Sequence, residues 1–187
     1  MHLTETKLSG SYIIEPERFE DERGFFARMY SEREFAAAGI NDHFIEGNLS
    51  FNFKKGSLRG MHYQAAPHGQ AKLVRCTRGA IFDVGIDLRP HSPTFKQWVA
   101  VELTEQNRLL FFIPADFAHG YLTLEDNTEV TYQVTGAYVP ESSRGFRWND
   151  PTFGVEWPDV GELTMNERDR TYPPFSYDES RCETVFP

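Results

Sequence analysis

The chain has almost no cysteine: two in 187 residues, Cys76 and Cys182, with no ligand-like spacing between them. No disulfide framework is needed at this length, and two reduced thiols in a cytoplasmic protein are the expectation. It also lacks positive charge. Twenty-eight acidic against 19 basic residues give a net charge of -9. That excludes a domain-wide basic footprint for nucleic acid, although a local basic cluster can still hold an anionic small molecule. No apolar run approaches the roughly 20 residues that a membrane-spanning helix needs. The start, MHLTETKLSG, has neither a basic nor an apolar targeting region, so no signal peptide is expected. Internal repeats, low-complexity tracts and long linkers are absent too. What is there is an ordinary globular balance, 40% hydrophobic and 25% charged, rich in aromatics with 16 Phe, and punctuated by 14 Gly and 11 Pro. This favours one all-β domain over residues 1–187.

Local patterns agree. Ser31 and Glu34 form a capping-box pattern, three alanines follow, and Gly39 fits a C-terminal stop, so a two-turn helix is expected there. The middle of the chain reads as strands. Phe82, Val84, Ile86 and Leu88 share one parity and Asp83 and Asp87 the other, the pattern of a half-buried strand. Val99, Val101 and Leu103 alternate in the same way, as do Val130, Tyr132 and Val134. Pro- and Gly-containing breaks separate these runs, which suggests a sandwich or barrel. Thr164 to Glu167 is a second capping-box pattern, opening a short helix near Asp169. The tail, residues 175–187, is expected as peripheral coil.

Parity also makes some polar residues conspicuous. Lys72 shares a face with Val74 and Cys76. Either it snorkels from a strand end, or an ammonium is carried inward to meet an anion or a dipole. His62 shares parity with Leu58 and Gln64, Tyr132 sits between two valines, and His119 follows an apolar run. Singly, each reads as a satisfied structural residue. Together in one interior they would supply a base, an acid and cationic oxyanion stabilisers.

At these residues the sequence resembles the dTDP-4-dehydrorhamnose 3,5-epimerase (RmlC) family. The matching stretches are FEDERGFF at 19–26, LRGMHYQ at 58–64, AKLVRCTRGAIFDVGIDLR at 71–89, SPTFKQW at 92–98, IPADFAHGY at 113–121, RGFRWNDP at 144–151 and WP at 157–158. They run in the family's order and spacing over residues 5 to 175. The resemblance implies a cupin-type jelly-roll β-barrel with a few short peripheral helices. It also implies a homodimer in which the N-terminal region, residues 1–30, is exchanged. Many cupins bind metal through a His-x-His pair, but His62 is followed by Tyr63 and Gln64, so no metal and no cofactor are expected.

The family's reaction inverts carbons beside the C4 ketone of a nucleotide-linked 6-deoxy sugar. By resemblance, His62 is the base, oriented by Asp169; Tyr132 is the acid on the opposite face; Lys72 faces the developing enolate oxygen. His119 looks like a contact to the sugar or a diphosphate oxygen. Arg23 and Arg59 match nucleotide and diphosphate contacts, and Tyr138 an aromatic that covers the nucleotide. Phe26, Arg28, Asn48 and Arg168 complete the expected substrate-binding set. Parity places Arg59 opposite His62, so both line one site only if Gly60 bends the strand or a second subunit contributes. Two departures fall at the nucleotide end: Arg28 stands where the family has glutamate, and Glu46-Gly47-Asn48 where it has Gln-Asp-Asn. Competing readings are a 3- or 5-mono-epimerase, a keto-sugar isomerase with the same acid and base, a non-catalytic nucleotide-sugar-binding cupin, and a metal-dependent cupin oxygenase.

Overall fold

The computed structural model describes residues 1–178 and 183–184; Cys182 lies outside them. In chain order the elements are β1 (His2–Glu5), β2 (Tyr12–Glu15), β3 (Arg18–Asp21), β4 (Gly24–Ala27), α1 (Glu32–Ala37), β5 (Glu46–Asn52), β6 (Leu58–Gln64), β7 (Lys72–Arg78) and β8 (Ala80–Asp87). They continue with β9 (Trp98–Thr104), β10 (Leu110–Ile113), β11 (Phe117–Thr123), β12 (Thr128–Val134), a 3-10 turn (Pro140–Ser142), β13 (Ser143–Gly145), α2 (Glu167–Thr171), β14 (Tyr177–Asp178) and β15 (Glu183–Thr184). Two antiparallel sheets dominate, one ordered β1-β2-β10-β7-β12-β5 and the other β13-β6-β11-β8-β9. This is the jelly-roll sandwich of the cupins.

The core lies between the sheets. Val74 and Cys76 of β7, Ile81 of β8, Val101 and Leu103 of β9, Phe111 of β10 and Val130 of β12 meet there, all buried. A second apolar layer covers the outside of the five-stranded sheet. Met61, Val84, Ile86 and Ala118 pack under Phe146 and Phe153 of the C-terminal segment. A third lies outside the six-stranded sheet, where Phe35 of α1 packs with Ile40, Leu73 and Phe112. Ser31 caps α1 by accepting from the Glu34 N–H, and Gly39 leaves the helix at φ 83°, as the sequence pattern predicts.

Three expectations change. β8 is buried on both faces: Asp83 and Asp87 are each 0% exposed. The reason is the C-terminal layer, which claims the Val84 and Ile86 side and turns the aspartate side toward the barrel interior. The cap of α2 is Asn166, whose Oδ1 accepts from the Asp169 N–H at 2.7 Å. Thr164 instead exchanges backbone hydrogen bonds with Gly56 and Leu58. The tail is not all coil: β14 pairs with β15, Phe175 packs edge-on against the stacked Phe146 and Phe153, and Tyr177 tilts against Phe95 at 4.9 Å.

Within residues 1–30, β1 and β2 belong to the chain's own sheet, with β2 paired to β10. β3 and β4 form a separate two-stranded hairpin whose Phe19 and Phe26 are 58% and 65% exposed.

Candidate active site

The site is built on β6. A regular strand would send Arg59 and His62 to opposite faces. Here His62 pairs with His119 of β11 and Arg59 with Tyr121, so β6 carries one residue more than its partner between the two pairs. That is a bulge, and Gly60 (φ 137°) sits in it. Only glycines fit: a Cβ on Gly60 would lie 2.6 Å from the Gly120 Cα, and one on Gly120 would lie 2.7 Å from the Met61 Sδ. Arg59 and His62 therefore line one cavity within a single chain, which resolves the parity conflict through the bend at Gly60.

His62 Nε2 lies 2.6 Å from Asp169 Oδ1. Asp169 is 1% exposed, and its other oxygen accepts the Gly60 N–H at 3.2 Å. The carboxylate thus ties the base to the bulge. An Nε2–H donating to Asp169 leaves Nδ1 as the proton-accepting nitrogen. Tyr172, also on this C-terminal element, presents its ring edge-on to His62 at 5.8 Å.

Lys72, Tyr132 and His119 line the same cavity as His62 and Arg59, with a volume of ≈ 390 Å³. A second cavity, ≈ 250 Å³, shares His62, Lys72 and Tyr132 and adds Glu46, Asn48, Gln64, Tyr138, Ser143 and Arg168. The two meet at the three shared side chains and form one cleft. A further cavity of ≈ 420 Å³, walled by Met29, Leu73, Arg75 and Thr131, borders the cleft at Asn48 and Tyr132 but is not lined by His62 or Lys72.

Electrostatics give each group a state. Burial pushes the Lys72 ammonium down to about 8, with Asp83 opposing. Lys72 Nζ is 3.4 Å from His119 Nδ1, and His119 Nε2 is 2.7 Å from Asp83 Oδ1. Burial lowers the His119 pKa, with the Asp83 carboxylate opposing and Lys72 adding to the depression. A neutral imidazole that donates to Asp83 Oδ1 and accepts from Lys72 satisfies both of its ring nitrogens. Burial also raises the Tyr132 phenol, Arg59 pulling the other way, so this group stays protonated at neutral pH. Arg59 Nε donates to Asn52 Oδ1 at 2.9 Å, and Asn52 and Ser50 both bond the Tyr121 hydroxyl. At the mouth, Arg168 donates to Ser143 Oγ at 2.7 Å. Hydrogen bonds from Ser143 and Arg168 lower the pKa of the exposed Tyr138 phenol.

Of the twelve residues singled out in the sequence, the fold gathers nine: His62, Asp169, Tyr132, Lys72, His119, Arg59, Asn48, Tyr138 and Arg168. It does not bring in Arg23, Phe26 or Arg28. Arg23 pairs with its own Asp21 on the exposed hairpin, and Arg28 pairs with Glu34 at 3.3 Å. Sequence reasoning missed Asp83, Asn52, Ser50, Tyr121 and Gln64. The signal for Asp83 was its parity with Ile81 and Gly85, once that face is read as the inside.

A family model described as dTDP-4-dehydrorhamnose 3,5-epimerase matches residues 5–177. The chain belongs to the dTDP-4-dehydrorhamnose 3,5-epimerase family. A member from Methanothermobacter thermautotrophicus is 44% identical over 171 residues, 90% of this chain and 91% of its own length. The crystal structure of the Elizabethkingia anophelis enzyme superposes with a TM-score of 0.90 at 39% identity, covering 93% of this chain and 96% of that one. That of the Legionella pneumophila enzyme in complex with dTDP-4-keto-L-rhamnose gives 0.87 at 37%, covering 92% of each. Membership makes the chain a sugar epimerase, an isomerase, with the family's cupin-type fold. Among the described residues no helix is long and apolar enough to cross a membrane.

Proposed function

We propose that the protein epimerises a dTDP-linked 4-keto-6-deoxy sugar by proton transfer alone. The observation that carries this is the His62–Asp169 pair and the Tyr132 phenol lining one cleft with Lys72. His62 Nδ1 takes the proton on a carbon beside the C4 ketone. The electron pair moves onto the carbonyl oxygen as an enolate. The Lys72 ammonium stabilises that oxygen, in a cleft where a fixed cation is worth far more than in water. Tyr132 delivers a proton to the opposite face of the carbon, and the enolate returns to the ketone. One proton leaves and one arrives, so no electron carrier enters the balance.

Arg59 and Arg168 suit the diphosphate, because their guanidinium forks match its oxygens. Arg23 and Phe26 stand on a protruding hairpin, away from the cleft of their own chain. In a homodimer they reach the partner's cleft instead, and the exposed apolar hairpin face suits burial there. A monomer by light scattering would refute that arrangement. Arg28 is held by Glu34, so it acts on the hairpin's footing rather than on the nucleotide. The Cys76 thiol, buried and pushed up to about 12, is inert as a nucleophile and takes no part in the reaction.

The test is product analysis by NMR with dTDP-4-keto-6-deoxyglucose. Inversion at C3, C5 or both, with the ketone still at C4, supports the reading. A ketone that moves identifies an isomerase, and unchanged sugar identifies a binding protein; either outcome refutes it.

A further inference from the structure

One buried polar side chain beside the cleft has no place in the chemistry above. Gln64 ends β6, two residues beyond His62, and is 6% exposed. All its side-chain hydrogen bonds go to backbone. Its Oε1 accepts the Val139 N–H at 2.7 Å; its Nε2 donates to the Ala137 carbonyl at 3.1 Å and the His68 carbonyl at 3.0 Å. Ala137 and Val139 are the two neighbours of Tyr138. One carboxamide therefore grips the backbone on both sides of that tyrosine. A second glutamine, Gln70, bonds the Gly136 carbonyl just upstream. On the far side, Ser143 pairs with Gln64 in the β13–β6 ladder, and the Ala65 N–H donates to the Ser142 carbonyl at 2.8 Å. The segment 136–143 is thus fastened along the end of the strand that carries the base.

What the grip fixes is a rim aromatic. Tyr138 is 56% exposed, lines the cleft, and has Ser143 and Arg168 as phenol partners. A flat ring next to a guanidinium fits a base and its diphosphate. The sugar-reacting groups lie deeper, at His62, Lys72 and Tyr132.

We propose that Gln64 is a positioning residue for Tyr138, setting how the cleft mouth closes on the nucleotide end of the substrate. This rests on the epimerase reading for its substrate but not for its geometry. A glutamine is suited because it is acceptor and double donor at once. A carboxylate would keep the Val139 bond and face two carbonyls with no proton to give.

The test is a double-mutant cycle of Gln64→Glu and Tyr138→Ala, read as kcat and KM for dTDP-4-keto-6-deoxyglucose and as Kd for dTDP. Gln64→Glu should raise KM and Kd about tenfold, the scale of one buried hydrogen bond to a charged or unsatisfied group. It should leave kcat within about twofold, since base and acid are untouched. In the Tyr138→Ala background it should add nothing, because the residue it positions is gone. Gln64→Met, which keeps the side-chain length without the hydrogen bonds, should repeat the KM rise while the protein melts cooperatively. Additive losses, an unchanged KM in both variants, or a loss confined to kcat would each overturn the proposal. If wild type turns over no substrate, the epimerase reading fails, and the cycle in dTDP Kd still decides the role of Gln64.

Discussion

Replacing Asp83 by asparagine isolates one charge. The Asp83→Asn side chain would keep the shape and the acceptor for His119 Nε2–H. Its new amide would take the place of Oδ2, which has no partner among the described residues. What goes is the negative charge that holds up the pKa of Lys72, the sole factor opposing burial there. Lys72 Nζ reaches His119 at 3.4 Å and His119 reaches Asp83 at 2.7 Å. Across the ring, the charges are about 8 Å apart at most, worth about 2 kcal/mol at an effective dielectric constant of about 20. Allowing for water in the cleft, the lysine should lose its proton about one pH unit lower. The sign follows from the role of the ammonium: activity falls as pH rises through about 8 in wild type, and earlier in the variant. The assay is kcat/KM against pH for both proteins. The ratio of variant to wild type should lie near one at about pH 6, fall several-fold by about pH 7.5, and level off at about one tenth above about pH 9. A ratio that is flat with pH would refute the relay and make Asp83 a packing residue.

Lys72→Met should abolish turnover yet raise stability by about 1–2 kcal/mol at about pH 7, discounting the burial penalty for cleft water. The folded-state pKa is depressed, so that penalty is full below about 8 and fades toward the ordinary 10.5. The stability gap in urea titrations should narrow over that window. Asp169→Asn should cut kcat about 10²–10⁴-fold with dTDP binding retained, because an amide facing His62 or the Gly60 N–H places donor against donor or reverses the imidazole tautomer. Gly120→Ala puts a Cβ against Met61 and Arg59, at 2.7 and 2.9 Å, so it should lower stability by about 1–3 kcal/mol and raise KM as Arg59 shifts. Denaturation and steady-state kinetics on one preparation check both.

The legible parts of the sequence were those carried by local pattern. Period-2 runs located β9 and β12, and the capping pattern at Ser31 located α1. Parity made Lys72 and Tyr132 conspicuous on apolar faces, but the convergence of His62, Lys72, His119 and Tyr132 came from the resemblance and is seen only in the folded chain. What parity could not show was long-range burial. β8 looked buried on its Val84 face and open on its Asp83 face; Phe146 and Phe153, more than 50 residues on, cover the Val84 face from outside, and the Asp83 face is the one turned inward. Nor could it show a break in its own rule: the extra residue at Gly60 depends on Gly120 across the sheet. Thr164 with Glu167 satisfied the capping-box pattern, and the bridge from Ser57 to Thr164 removes it from the helix and leaves Asn166 as the cap. Gln64 was silent because the partners that tie it to Tyr138 are backbone atoms 73 and 75 positions away.

The most direct measurement of the central claim is solvent-deuterium exchange into dTDP-4-keto-6-deoxyglucose, followed by NMR for wild type, His62→Ala and Tyr132→Phe. The account predicts deuterium beside the ketone in inverted product for wild type, and none in any species for His62→Ala. For Tyr132→Phe it predicts deuterium in recovered substrate without inversion, because the proton still leaves to His62 but none returns from the far face. Exchange that survives in His62→Ala, or inversion that survives in Tyr132→Phe, would contradict it.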